Sequence, residues 1–441
     1  VKEQAGRSGV PTWRGEILIE GTRYRGRTVD VFIDGEGRIT ALGKEAGRRS
    51  RRDAETRIDG RGYILIPGLV NTHTHAAMTL LRGYADDMPL QEWLSTKIWP
   101  LEAHLTGEDV FWGTKLACLE MIRSGTLAFN DMYFFMEEAA RAVGEMGLRA
   151  TLAYGFIDLG DGERREREIR ATERLVSAVK GMANPRIRAA VGPHAVYTVS
   201  PEGLRWCADF SREEKIGIHT HLAETEQEVS DCVRAYGKRP AAHLDACGCL
   251  TEGAVAAHCC WLDREECNLL AARGASASHN PTSNMKLAVN RAMPYPWMRE
   301  SGLNVTLGTD GCASNNSLDL FGAMKDAALL QKFAWNTQTV LPAPEVLHMA
   351  TEAGARALGI PTGRIEAGSP ADLVLVSQAA PSMTPLFSEE SNLVYSATGS
   401  SVDTVICDGR ILMLHGEVPG EEEILSMAAR SAAALVGRSG M

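Results

Sequence analysis

No two cysteines of this chain stand in a Cys-x-x-Cys pair, although it has ten of them. Neither a zinc ribbon nor a thioredoxin-type motif is therefore present, and buried, reduced thiols are the expectation. No apolar run approaches the roughly 20 residues of a membrane span. Val1 to Thr12 are polar and lack the hydrophobic core of a secretion signal. Positive charge is not in excess, since 46 Lys and Arg face 56 Asp and Glu for a net charge of −10. That balance argues against a nucleic-acid or anionic-membrane partner. Gly35-Glu-Gly is a hairpin turn rather than a dinucleotide loop, because no helix follows it. These absences leave a cytoplasmic enzyme as the expectation.

What is present fits a large α/β protein. The 441 residues, 44% of them hydrophobic, suffice for one large α/β domain and a smaller one. Short strand-like segments with hairpin turns fill residues 16–67, and the style returns in Ala371-Asp-Leu-Val-Leu-Val and Asp403-Thr-Val-Ile-Cys-Asp-Gly-Arg-Ile-Leu. Both ends are expected to form one small composite β-sandwich domain, from residues 1–67 and 361–441 with a terminal helix. Between them, strand and helix alternate. Eight strand candidates follow from residue 63: Tyr63–His75, Thr126–Met132, Arg149–Phe156, Arg186–His194, Gly217–His221, Ala254–His258, Ala275–His279 and Asn304–Asp310. Helical stretches such as Asp109–Ser124, Arg164–Lys180, Pro201–Glu214 and Ser317–Phe333 separate most of them. Eight such units closing on themselves make a (β/α)8 TIM-type barrel over residues 68–360. Two charged stretches, Arg48-Arg-Ser-Arg-Arg and Glu163-Arg-Arg-Glu-Arg-Glu, read as an exposed loop and a solvated helix face.

The chemistry sits at the strand ends. His73 and His75, at i and i+2 on an extended strand, point to the same side. His194, His219 with His221, His258, His279, Asp131 and Asp310 end other strands, so seven of the eight carry a residue of metal or acid/base type. In a barrel these ends share one rim, and residues hundreds apart in sequence converge there. A lone histidine is usually a satisfied core residue; five strands ending in histidine point to a site. Imidazoles with one carboxylate suit zinc or iron(II), whereas magnesium and calcium want more oxygens. Such a site with an open position lowers the pKa of a bound water to roughly 7. Glu224, just past the strand that ends in His221, is placed to move protons, or alternatively to orient a ligand histidine.

Ile66-Pro-Gly-Leu-Val-Asn-Thr-His-Thr-His, His221-Leu-Ala-Glu, Ser278-His-Asn-Pro-Thr-Ser-Asn and Leu307-Gly-Thr-Asp-Gly resemble the amidohydrolase superfamily. Within it the chain is most similar to the 5-methylthioadenosine/S-adenosylhomocysteine deaminase family, including its 5′-deoxyadenosine deaminases. Met78-Thr-Leu-Leu-Arg-Gly, Gln91-Glu-Trp-Leu, Trp99-Pro-Leu-Glu, Gly192-Pro-His and Ser314-Asn-Asn-Ser-Leu-Asp-Leu-Phe carry that closer likeness. The resemblance runs from about residue 16 to 416. It implies one divalent metal per subunit, zinc or else iron, on His73, His75, His221 and Asp310. It implies that Glu102 takes the ribose hydroxyls, that Trp93 lies against the nucleoside and that His194 is a further substrate contact. Glu224 would protonate the purine ring, while His258 would hydrogen-bond the attacking hydroxide rather than ligate the metal. Hydroxide would add to C6, Asp310 would pass a proton to the amino group, and ammonia would leave. His279 is as well explained by a structural hydrogen bond, and His219 is expected behind the ligands.

One departure bears on substrate. The family commonly has an arginine on the third strand that meets the homocysteine carboxylate, and here Tyr154 takes that position. A neutral phenol cannot form the bidentate pair that a carboxylate needs. 5′-Deoxyadenosine and 5′-methylthioadenosine are thereby favoured over S-adenosylhomocysteine, unless Arg164 or Arg165 reaches in. The alternative is hydrolysis of another amino- or chloro-heterocycle, guanine-, pterin- or triazine-like. A catalytically silent barrel is expected to have lost ligands, and all four are here. A metal pair bridged by a modified lysine is disfavoured, since the fourth strand ends in Gly192-Pro-His194 without lysine. The resemblance also implies a homo-oligomer, with a tetramer as the expected form.

Overall fold

The computed structural model describes residues 15–43, 46 and 54–440. The Arg48–Arg52 stretch and Val1–Thr12 lie outside the described residues. Strands are numbered in chain order: β1 (Ile17–Tyr24), β2 (Arg27–Ile33), β3 (Ile39–Leu42), β4 (Thr56–Asp59), β5 (Tyr63–Pro67), β6 (Leu69–Thr74), β7 (Thr126–Tyr133), β8 (Arg149–Phe156), β9 (Ile187–Pro193), β10 (Gly217–Leu222), β11 (Ala254–His258), β12 (Ser276–His279), β13 (Asn304–Leu307), β14 (Leu373–Ser377), β15 (Val402–Cys407) and β16 (Arg410–Met413). They make two sheets. β6 to β13 run parallel in sequence order, as the βα repeat requires. β1 to β5 combine with β14 to β16 in a second, mixed sheet built from both chain ends.

The expected single strand from Tyr63 to His75 is in fact two, and they belong to different sheets. β5 pairs antiparallel with β14, whereas β6 pairs parallel with β7. Gly68 makes the crossing possible. A Cβ there would fall 2.4 Å from Leu127 Cδ1, so only glycine lets the chain step from one sheet to the other. The apolar run is continuous because both halves are buried on both faces. Ile64 and Ile66 pack into the barrel's core, while Leu65 between them packs with Ile19, Val31 and Leu373 in a separate small core. β14 alternates in the same way, Val374 and Val376 against Leu373 and Leu375. The composite sheet therefore lies with one face on the barrel. Arg149, buried at the start of β8, ties the two together through Asp372 at 2.8 Å and Asp408 at 2.9 Å.

Helices cover the barrel. Gly107–Arg123 begins at a capping box in which Thr106 and Asp109 exchange hydrogen bonds. The terminal helix Glu421–Ser439 packs on it, and Ser431 Oγ donates to Asp109 Oδ1 at 2.7 Å. Among the described residues no helix is long and apolar enough to cross a membrane. All ten cysteines are buried and unpaired. The last strand ends earlier than expected, at Leu307, and residues 308–310 close the ring irregularly. The N–H groups of Thr309 and Asp310 both reach His73 O, at 3.2 and 3.0 Å, and Thr72 Oγ1 donates to Leu307 O at 3.0 Å. That irregular closure is what turns Asp310 toward the histidines.

Candidate active site

Four ligand-type side chains converge where β6, β10 and β13 end. His73 Nε2 and His75 Nε2 each lie 3.3 Å from Asp310 Oδ1, and His221 Nε2 lies 3.2 Å from His75 Nε2. The donor atoms of His73, His75 and His221 form one cluster within 4.8 Å, and those of His73, His258 and Asp310 form another. The far side of each ring is anchored. His75 Nδ1 donates to Met132 O at 2.6 Å and His221 Nδ1 to His194 O at 2.8 Å, which leaves both Nε2 lone pairs facing inward. His73 Nδ1 meets His219 Nε2 at 2.8 Å, so His219 sits behind this cluster. His73 Nε2 is a buried ring nitrogen without a hydrogen-bond partner, which an imidazole avoids unless a cation takes its lone pair. Three imidazole nitrogens and one carboxylate fit zinc or iron(II).

Electrostatics agree with that fit. Burial pulls His73 down to about 4 and His221 well below its ordinary value, so both rings are neutral at neutral pH, as ligands must be. At His75 burial works the same way, but the Asp310 carboxylate outweighs it and raises the ring to about 9. A proton on His75 and a divalent cation compete for the same two atoms. Asp310 itself has φ +66, in the left-handed region that non-glycine residues avoid. Its conformation is held by three donors: Ser283 Oγ at 2.6 Å and Ser314 Oγ at 2.9 Å on Oδ2, and the Gly311 N–H at 2.9 Å on Oδ1. Gly308 is forced by the same crowding, since a Cβ there would sit 3.0 Å from His73 Cβ and 2.4 Å from Asn280 Oδ1.

Above the cluster opens a cavity of about 550 Å³, which suits a nucleoside-sized molecule. Trp93, Glu102, His194, Glu224 and His258 all line it with His75, His221 and Asp310. His258 Nδ1 contacts Asn284 Oδ1 at 2.8 Å and stands 3.9 Å from Glu224 Oε1. Burial raises the Glu224 pKa above the usual carboxylate value, with His258 opposing it. Glu102 Oε1 accepts from the Tyr133 hydroxyl at 2.7 Å, and burial raises Glu102 to about 7. His194 Nδ1 pairs with Thr198 Oγ1 at 2.9 Å. The indole N–H of Trp93 is engaged by Ala85 O at 2.9 Å, which leaves its ring for the cavity.

Three expectations need correction. Asp131 does not line the cavity; its Oδ1 accepts from Thr74 Oγ1 and the Ala76 N–H, at 2.9 and 2.7 Å, and so shapes the turn after His75. Tyr154 faces away from the cavity toward Glu168, because strand alternation gives the lumen to Gly155 instead. The Glu163–Glu168 run is not wholly a solvated face, since Arg164 lines the cavity and Glu168 is buried, accepting the Ile157 N–H at 3.2 Å. His279 is fully buried below the cluster with neither ring nitrogen hydrogen-bonded. Ser283, Ser314, Asn284 and Tyr133 escaped the sequence reading. The first three lie within quoted motifs, where their spacing carried no hint of which side chain they would hold.

Residues 64–412, from within β5 to β16, match the amidohydrolase family. The chain belongs to that family. A Methanoregula boonei protein named 5′-deoxyadenosine deaminase is 62% identical to this amidohydrolase over 423 residues, 96% of either chain. An Archaeoglobus fulgidus protein named 5-methylthioadenosine/S-adenosylhomocysteine deaminase 1 is 48% identical over 396 residues, 89% of this chain and 93% of its own. The crystal structure of an adenosine deaminase from Xanthomonas campestris with bound zinc matches with a TM-score of 0.89 and 35% identity, covering 96% of this amidohydrolase and 99% of that chain.

Proposed function

We propose that this amidohydrolase is a metal-dependent deaminase of 5′-modified adenosines, which replaces the 6-amino group of adenine by oxygen and releases ammonia. The observation that carries the reading is one cavity with a metal-type donor cluster at its floor and Trp93, Glu102 and Glu224 on its wall. The similarity to proteins named 5′-deoxyadenosine deaminase supports the same substrate class. His73, His75, His221 and Asp310 would hold one divalent cation, zinc, whose Lewis acidity would supply a water nucleophile at neutral pH.

The chain's own groups do the rest. Trp93 packs the nucleoside, and the Glu102 carboxylate accepts the two ribose hydroxyls. His194 makes a further substrate contact. Glu224, with its pKa raised by burial, takes a proton from the attacking water and delivers it to N1, which lets C6 accept oxygen. His258, steadied by Asn284, hydrogen-bonds the attacking oxygen. Asp310 passes the second proton to the amino group, which departs as ammonia. Leu159 and Arg164, which also line the cavity, meet the 5′ substituent. Small uncharged groups fit there, and Arg164 offers a carboxylate-bearing group a cation that Tyr154 does not.

The test is ultraviolet difference spectroscopy with 5′-deoxyadenosine, 5′-methylthioadenosine, S-adenosylhomocysteine, adenosine and guanine. Conversion of adenine to the hypoxanthine chromophore, fastest with 5′-deoxyadenosine or 5′-methylthioadenosine, is expected. No change with any adenosine derivative would sink the reading.

A further inference from the structure

The loop that carries Glu224 has an unusual support. Ala223 has φ +49, a left-handed conformation that an alanine adopts only where its surroundings impose it. The helix Glu226–Tyr236 follows directly, and its N-cap Thr225 accepts the Glu228 N–H at 3.1 Å. A glutamate at this third helical position ordinarily turns back to the N–H of the N-cap residue itself. Glu228 reaches further. Its Oε1 accepts the N–H of Ala223 at 2.8 Å and its Oε2 the N–H of Glu224 at 2.9 Å. Glu228 is buried, and its carboxylate spans the two consecutive N–H groups that define where the Glu224 side chain leaves the backbone.

We infer that Glu228 is a positioning residue for the reaction: it holds the Ala223–Glu224 backbone so that the Glu224 carboxylate stays in proton-transfer reach of the substrate. This rests on the proposed role of Glu224. The chemistry requires a carboxylate, because two N–H donors need two acceptor oxygens. A glutamine offers one oxygen and sets an amide N–H₂ against the other donor. Proton transfer tolerates little displacement, and a shift of about 1 Å costs about 100-fold in rate. Substrate binding through Trp93 and Glu102, on a distant segment, is untouched by such a shift. The signature is a loss of kcat without a rise of KM.

The experiment compares Glu228→Gln with Thr225→Ala in the metal-loaded enzyme, measuring kcat, KM, metal content and Tm on the best adenosine substrate. Thr225→Ala removes the helix cap but leaves the Glu228 carboxylate in place. Glu228→Gln is expected to lower kcat by about 10- to 100-fold, with KM within about threefold and metal content unchanged. Thr225→Ala is expected to lower Tm while leaving kcat within about twofold of wild type. The inference is overturned if Glu228→Gln keeps kcat within about twofold, if its loss tracks lost metal, or if Thr225→Ala loses as much kcat. If Glu228→Gln does not fold, Glu228→Asp decides: its shorter arm reaches neither N–H well, so a wild-type kcat refutes the role. A wild-type enzyme inert on every adenosine would instead count against the proposed function, before either variant is made.

Discussion

Replacing Tyr133 by phenylalanine probes the least expected part of the substrate wall. The Tyr133 hydroxyl donates to Glu102 Oε1 at 2.7 Å, and Glu102 is the group proposed to accept the ribose hydroxyls. Burial raises Glu102 to about 7, and the tyrosine hydrogen bond pulls in the opposite direction by favouring the ionised form. The sign follows directly. As pH falls through about 7 the carboxylate gains a proton, loses acceptor strength, and KM rises. Tyr133→Phe removes the stabilising donor, so protonation sets in at a higher pH and KM is already raised at neutrality. A hydrogen bond to a charged group is worth about 1.5–3 kcal/mol. With tenfold per about 1.4 kcal/mol and Glu102 half ionised in the wild type near pH 7, KM for 5′-deoxyadenosine should rise by roughly sevenfold or more at that pH, while kcat changes little. The assay is the adenine-to-hypoxanthine absorbance change at a series of substrate concentrations from about pH 6 to about pH 9. A wild-type KM that stays flat across that range, or a Tyr133→Phe KM within about twofold of wild type, refutes the reasoning.

Stripping the protein with a chelator should abolish deamination and lower Tm, and added zinc should restore both; full turnover by metal-free protein contradicts the ligand assignment. Gly308→Ala pushes a methyl against His73, Ser278 and Asn280, so a loss of about 1–3 kcal/mol in denaturant unfolding is expected together with weakened metal binding. An unchanged midpoint would show that the loop yields instead. Arg164→Met should reduce kcat/KM for S-adenosylhomocysteine while sparing 5′-deoxyadenosine, and equal losses on both would place Arg164 in stability rather than selectivity.

The metal cluster was legible because its rules are local. A strand presents i and i+2 on one side, parallel strands of a βα repeat end on one rim, and histidine with aspartate at those ends names the donor set. Among those strand-end residues it is the family resemblance that singles out His73, His75, His221 and Asp310. The proposed substrate wall was legible by resemblance, through Trp93 and Glu102. The chain's periodicity could not have supplied either. Tyr154 shows the limit of positional reading. One residue decides whether a side chain enters the lumen, and the strand gives that place to Gly155.

By itself, then, the sequence determined the barrel, the sheet shared by the two chain ends and a row of metal-type side chains at the strand ends, because each is written in short-range periodicity and residue chemistry. Only the tertiary structure decided that the apolar run through Gly68 divides between two sheets, since the steric demand there comes from Leu127, some 60 residues away. It alone aimed Asp310, by an irregular closure onto His73 and by two serines, Ser283 in the short helix Pro281–Lys286 and Ser314 just downstream of Asp310 itself. It alone brought Tyr133 to Glu102, Arg164 to the cavity and Glu228 beneath Glu224. Those placements depend on left-handed backbone at strand ends and on partners supplied from elsewhere in the chain, and neither leaves a periodic trace.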